Sequence, residues 1–333
     1  MILISGILVA DIIVHGLKKI ADPGEIIYCE SDLHIGGHAA NVSINLIKLG
    51  LSKDEIIVIG PIGNDIFGEF IENTLNLYLK NVNLQKISAR TSKDIIIILE
   101  NQDRRYHTEP GANLFLDVNF IKKFIRTEDP FIFYIGGAGL LGKFDDELEG
   151  ICEEAKKYNW LTFLDIVAPY QRDWSFIIPA LQFIDIFHCN DYELRHISKL
   201  ANLQNSIIKI AEKGVKLPII TLGDKGVVAF LNNRIISQTP FKTQIIDPTG
   251  AGDAFCANFI YELSKDEIKN VVSAIIENLS YAQLKNILMS SQAASAACIS
   301  AVGTTNGVSR HKVDEIINKE GKIIIKKTKE KKI

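Results

Sequence analysis

The sequence predicts an α/β protein with a central, mostly parallel sheet, helices on both of its faces and a small β-strand lid. Three observations carry this. Short runs rich in Ile, Val and Phe recur at residues 2–7, 56–59, 131–135, 161–164, 184–188, 218–222 and 227–231. They are apolar nearly throughout, as strands covered on both faces are, rather than at alternate positions. Helical patterns separate them at residues 39–48, 68–79, 146–157, 193–198 and 206–213, and strand–helix alternation predicts parallel order. Two segments, 12–35 and 94–111, break the alternation: they are strand-like, polar, rich in turn residues and too short for a crossover helix.

Taken in order, residues 1–11, 36–93 and 112–325 are expected to form the α/β core. Residues 12–35 and 94–111 are expected to project from it and pair into a flap, which on closing would exclude water from a reaction; two surface hairpins are the alternative. The last third reads as helical at 253–263, 266–277 and 281–300, and 326–333 as a frayed basic tail. No internal repeat or low-complexity linker interrupts this plan.

Composition excludes several classes. Apolar residues make up 47% of the chain, charged residues 23%, and the net charge is -3, so no basic face suggests nucleic acid. Five widely spaced cysteines, with no Cys-x-x-Cys pair, are expected to be reduced and mostly buried. No apolar run approaches a membrane span, and Met1 leads straight into a strand pattern, so a cytoplasmic protein without a membrane partner is expected.

The chemistry concentrates in Ile246-Asp247-Pro248-Thr249-Gly250-Ala251-Gly252-Asp253-Ala254-Phe255. Small residues before an apolar helix let the amides of Gly250, Ala251 and Gly252 converge where the helix dipole is positive, an anion site. Asp253 at the same point adds a carboxylate. An anion hole beside a base suits phosphoryl transfer to a hydroxyl; a capped structural helix is the alternative. Gly36 and Gly37 let a ligand approach the backbone, and the Asn41 amide can donate to and accept from a polyol, or the segment is a tight strand-to-helix turn. Asp11 ends the first strand, where open α/β sheets bind ligands, or is a solvated strand end. Asn190 and Glu193 face one way at a helix start, fit to hold waters of a hydrated Mg²⁺, or to cap the helix. Thr221, Gly223 and Gly226 form a loop able to lie on a nucleotide, or a plain hairpin.

Gly137, Gly139 and Gly142 spell a dinucleotide fingerprint, with Asp165 at a later strand end. Two features speak against it: the helix is expected to start beyond Lys143-Phe144-Asp145, and the unit lies mid-chain, away from Asp253. No Walker A, H-E-x-x-H or G-x-S-x-G occurs, and the seven histidines show no metal-ligand spacing.

The ordered set of Asp11, Gly36-Gly37 with Asn41, Gly50, Gly60, Gly63-Asn64-Asp65-x-Phe67-Gly68, Asn190-x-x-Glu193, Thr221-Leu222-Gly223-x-x-Gly226 and Asp247-Pro248-Thr249-Gly250-Ala251-Gly252-Asp253 resembles the ribokinase-like (PfkB) carbohydrate kinases over nearly the whole chain. The resemblance implies a ribokinase-like fold and an ATP-dependent, Mg²⁺-requiring kinase of a sugar or sugar-like hydroxyl. It implies Asp253 as base, Gly250, Ala251 and Gly252 as the hole, and Asp11, Gly36, Gly37 and Asn41 on the substrate. It places Asn190 and Glu193 at Mg²⁺–phosphate, and Thr221, Gly223, Gly226 and Gln292 on the nucleotide. It also implies K⁺ or a similar ion near Asp247 and Thr249, and a homodimer through the lid. Ala257-Asn258 replaces the family's usual small pair and Gln292 a common Asn. A nucleoside kinase of the same fold, with Tyr106, Phe115 or Phe144 under the base, and a catalytically silent sugar-binding protein remain as alternatives. Substrate choice is expected from Ile13, His15, Arg104, Arg105 and His107.

Overall fold

Branched apolar runs form the strands, and breaks in them release the chain into helices. The structure, a computed structural model, describes residues 1–100, 104–265 and 274–333. β1 (Ile2–Gly6), β2 (Val9–Leu17) and β3 (Glu30–Gly36) lead into α1 (His38–Leu49), β4 (Ile56–Gly63), α2 (Ile66–Tyr78) and β5 (Asn81–Ile87). β6 (Lys93–Leu99) and β7 (Arg105–Glu109) precede α3 (Val118–Thr127), β8 (Ile132–Ala138), α4 (Lys143–Asp146), α5 (Leu148–Lys157) and β9 (Leu161–Ile166). Then follow β10 (Ile186–Asn190), α6 (Asp191–Ser198), α7 (Leu203–Glu212), β11 (Leu217–Thr221), β12 (Val227–Leu231) and β13 (Arg234–Gln238). α8 (Ala251–Leu263), α9 (Ile275–Asn278), α10 (Tyr281–Cys298), α11 (Arg310–Ile316), α12 (Lys322–Lys327) and β14 (Lys329–Lys332) complete the chain.

One sheet runs β14-β13-β12-β11-β10-β9-β8-β1-β4-β5. From β5 to β11 its neighbours are parallel, and β12, β13 and β14 add an antiparallel edge. β1, β4, β8 and β9 are buried along their whole length. Alternate residues feed two cores: Ile2, Ile4, Ile132 and Tyr134 pack toward α1, α8 and α10, and Leu3, Phe133 and Ile135 toward α3 and α5. That is why the strands read as continuous apolar runs.

A second sheet, β3-β2-β6-β7, stands apart. Asp11, His34, Asp94 and Thr108 are in register on one face, and Leu33, Ile12 and Ile95 on the other.

Several expectations are corrected. Asp11 does not end β1 but lies inside β2, because the Asn113 amide takes both the N–H and the C=O of Leu8 (3.1 Å each) and turns the chain into the second sheet. The tail is not frayed: Lys329 to Lys332 pair with Ser237 to Arg234, satisfying the open edge of β13, and Glu330 meets Arg234 at 3.2 Å. Strands β5 and β13 were missed because they mix polar and apolar residues and are less fully buried than the central strands. Of the helix expected at 266–277, residues 266–273 lie outside the described residues, as do 101–103 of the expected lid. Four of the five cysteines are buried, all are free, and Cys29 is exposed. Among the described residues no helix is long and apolar enough to cross a membrane.

Candidate active site

Gly250 adopts a left-handed backbone (φ 76°), where a Cβ would stand 2.7 Å from the Thr304 carbonyl, and α8 starts at the next residue. The first helical bond, Ala254 N–H to Gly250 C=O (2.8 Å), leaves the amides of Ala251, Gly252 and Asp253 without helical partners. Gly252 has no such constraint: its φ is ordinary and a Cβ there would touch only His188 Cε1, at 3.5 Å. Glycine at that position keeps the face beside Asp253 open.

Asp253 is 8% exposed. Its Oδ2 accepts from Asn41 Nδ2 (2.8 Å), and Asn41 Oδ1 accepts from Thr304 Oγ1 (2.7 Å). Asn41 therefore orients the carboxylate, with both ends of its amide committed inside the protein. Asp253 Oδ1 is buried and has no hydrogen-bond partner among the described residues. Burial raises the Asp253 carboxyl above its ordinary value, opposed chiefly by His38. His38 Nε2 lies 3.9 Å from Asp253 Oδ1 and 4.0 Å from Asp165 Oδ2.

Asp165 reaches this cluster from the end of β9. It pairs with His188 Nδ1 (2.9 Å) and accepts from the Tyr134 hydroxyl (2.9 Å) and Cys256 Sγ (3.4 Å). Burial alone would raise it, but His188, His38 and Tyr134 outweigh burial and hold it at about 2. His188 stacks on Phe255, and its Nε2 meets Thr221 Oγ1 at 3.3 Å. The sequence reading missed His38 and His188 because they are far apart in the chain.

The loop from Gly137 to Gly142 departs from expectation in two respects. α4 begins at Lys143, directly after Gly142, and Asp165 is beside the Asp253 cluster rather than away from it. What removes the anion site is Asp145, whose carboxylate accepts from the amides of Gly139 (3.0 Å) and Leu141 (2.9 Å). A phosphate would have to displace a resident carboxylate.

Asp11 is buried, not solvated, and is pushed well above the ordinary carboxyl range by burial and then by Asp94, Asp253 and Asp247. Gly36 is demanded by packing, since a Cβ there would collide with the Asp11 carboxylate, and Gly37 by its φ of 86° against the Ile7 carbonyl. Ile13 and Tyr106 share the Asp11 face of the second sheet, and Arg105 and His107 the opposite one. His15 is engaged by Asp32 at 2.8 Å. Phe144 is fully buried in the core and offers no platform; Phe115 and Tyr106 are exposed.

Asp247 accepts from Thr249 N–H (2.9 Å) and Gly303 N–H (2.9 Å), and the Arg104 guanidinium bonds both Asp247 and Thr249. Burial raises Asp247, but these partners bring it below its ordinary value. A guanidinium thus lies against the two side chains near which the resemblance implies a monovalent cation.

Asn190 and Glu193 form a capping box: Glu193 N–H donates to Asn190 Oδ1 (2.9 Å) and Asn190 N–H to Glu193 Oε2 (2.8 Å). Desolvation pushes Glu193 up to about 7. Gly223 and Gly226 close the hairpin between β11 and β12, with Leu222 N–H on the Gly226 carbonyl (2.8 Å). Gln292 Nε2 donates to Gln238 Oε1 (3.1 Å), and Gln292 Oε1 is buried with no hydrogen-bond partner among the described residues.

The family description "pfkB family carbohydrate kinase" matches residues 18–311. An ATP-dependent 6-phosphofructokinase of Thermoanaerobacterium thermosaccharolyticum is 24% identical, over 73% of this chain and 77% of that protein. A fructokinase of Klebsiella pneumoniae is 26% identical, over 74% of this chain and 83% of that protein. The crystal structure of a ribokinase from Thermotoga maritima superposes with a TM-score of 0.72 at 25% identity, covering 95% of this chain and 99% of that one.

Proposed function

The chain belongs to the pfkB family of carbohydrate kinases and is a sugar kinase, and on that premise we propose that it transfers the γ-phosphoryl group of ATP to a sugar hydroxyl with Asp253 as general base. The carrying observation is Asp253 Oδ1: buried, without a hydrogen-bond partner among the described residues, and beside amides that α8 leaves open. The acceptor hydroxyl gives its proton to that oxygen as it attacks the γ-phosphorus in line, and the bond from that phosphorus to the β–γ bridging oxygen breaks, so that ADP leaves. The amides of Gly250, Ala251 and Gly252 then take up the charge that builds on the phosphoryl oxygens.

Asn190 and Glu193 would hold Mg²⁺ through water, and the fit lies in oxygen ligands and a desolvated carboxylate. Mg²⁺ supplies charge neutralisation on the phosphates. Thr221, Gly223 and Gly226 would lie along the nucleotide, and the unused Gln292 Oε1 would accept from an exocyclic amine. Asp11 and the backbone at Gly36 and Gly37 would face the acceptor, under a lid formed by β3, β2, β6 and β7. The half-exposed row Leu33, Ile12 and Ile95 on the lid's outer face is the surface through which two copies would pair.

The test is ATP consumption with Mg²⁺ across a panel of sugars, sugar phosphates and nucleosides. One strong acceptor identifies the substrate class. Silence without ATP binding overturns the reading.

A further inference from the structure

Asp253 stands among carboxylates. Asp11 from β2, Asp165 from β9, Glu193 from α6 and Asp247 from the loop before α8 all bear on this region, as do Tyr134 from β8, Cys256 from α8 itself and Cys298 from α10. Basic side chains answer them. His188 is bonded to Asp165 at 2.9 Å, and Arg104 is bonded to Asp247. His38 is placed against Asp253 Oδ1, at 3.9 Å, with Asp165 Oδ2 at 4.0 Å on its other side. These separations are too long for hydrogen bonds and short enough for strong charge pairing at a site shielded from water.

The fold makes room for this side chain. A Cβ on Gly136 in β8 would lie 2.5 Å from His38 Cβ, so a glycine at that strand position is what admits His38. His38 is also the first residue of α1, where the helix dipole opposes a cation; flanking carboxylates offset that.

We propose that His38 is a positioning residue whose imidazolium, set between Asp165 and Asp253, keeps the Asp253 carboxylate ionised and so able to receive the hydroxyl proton. This rests on the proposed function only for its catalytic consequence, since the charge coupling is a property of the resting protein. In direction it agrees with burial raising Asp253 and His38 being the chief opposing influence.

The experiment has two readouts. In ¹³C-aspartate-labelled protein the Asp253 carboxyl signal, identified by its loss in Asp253→Asn, is titrated in the parent, His38→Gln and His38→Lys. The expected result is a midpoint about one pH unit higher in His38→Gln and restored in His38→Lys. With the acceptor found by the panel, the acid limb of kcat/KM should move with that midpoint and lower turnover ~10-fold on the acid side. An unchanged Asp253 midpoint in folded His38→Gln overturns the inference whether or not the protein turns over ATP. A rise confined to KM for the acceptor, with the limb in place, also overturns it. Should His38→Gln not fold, Asp165→Asn removes the competing carboxylate and is expected to lower the Asp253 midpoint; no change there would be equally fatal. A parent protein without phosphotransfer would defeat the kinase reading and leave the titration standing.

Discussion

Asp253, the proposed base, would meet two opposing demands: burial disfavours its charge, and proton transfer would require it. Asn41 fixes one oxygen and leaves the other for the substrate. Replacing Asp253 by Asn should preserve the Asn41 contact and lower kcat by at least ~10²-fold, the scale of a positioned base; parent-like turnover in a purified variant would end that assignment. Glu193 gives a second test. Its carboxyl is held at about 7 in the folded chain and titrates near ~4.3 when unfolded. Between these values the folded state binds more protons, so stability falls as pH rises through about 7. Glu193→Gln should therefore raise Tm at pH 8 by the equivalent of about 1 kcal/mol, discounted for partial solvent contact, with a gain that shrinks toward pH 5. Equal gains at both pH values would mean that the charge is not the cause. The place of Asp253 in the first turn of α8 was legible from its neighbours in sequence. The commitment of Asn41 to Asp253 was not, because 212 residues separate them.

α8 shows how an element can be read from sequence and still carry a surprise. The left-handed Gly250 and the apolar run after it specify the helix start locally. Gly252 is different, because neither its φ nor its neighbours require glycine. Gly252→Ala should leave Tm unchanged or raise it, by up to ~1 kcal/mol from helix propensity, and lower kcat/KM ~10-fold or more by crowding the anion hole. Full activity in that variant would remove the open amide face from the argument. The C-terminal strand tests the opposite kind of reading. A basic run looked like a solvated end, yet β14 completes the edge left by β13. Deleting residues 329–333 should cost about 1–2 kcal/mol, from cross-strand pairs of a few tenths to 1 kcal/mol each; an unchanged Tm would restore the frayed tail. β5 and β13 were illegible for a related reason: they mix polar with apolar residues and carry no continuous apolar run.

At the scale of the molecule, the second sheet turns one face to Asp11 and the site, and presents Leu33, Ile12 and Ile95 on the other. If two copies pair there, light scattering should give twice the 37.1 kDa of one chain, and Ile95→Glu should halve it; a monomeric parent would refute the pairing. The sequence by itself determined the parallel sheet, the helix start at Gly250 and the place of Asp253 in that helix's first turn, because each depends on residues adjacent in the chain or on a short period. Only the tertiary structure decided that His38, Asp165, His188 and Asp253 meet, that Asp145 fills the loop resembling a dinucleotide site, and that Arg104 sits on Asp247. Those arrangements depend on which strand ends a parallel sheet brings side by side, and the order of strands in a sheet is set by long-range packing rather than by the neighbours of any one residue.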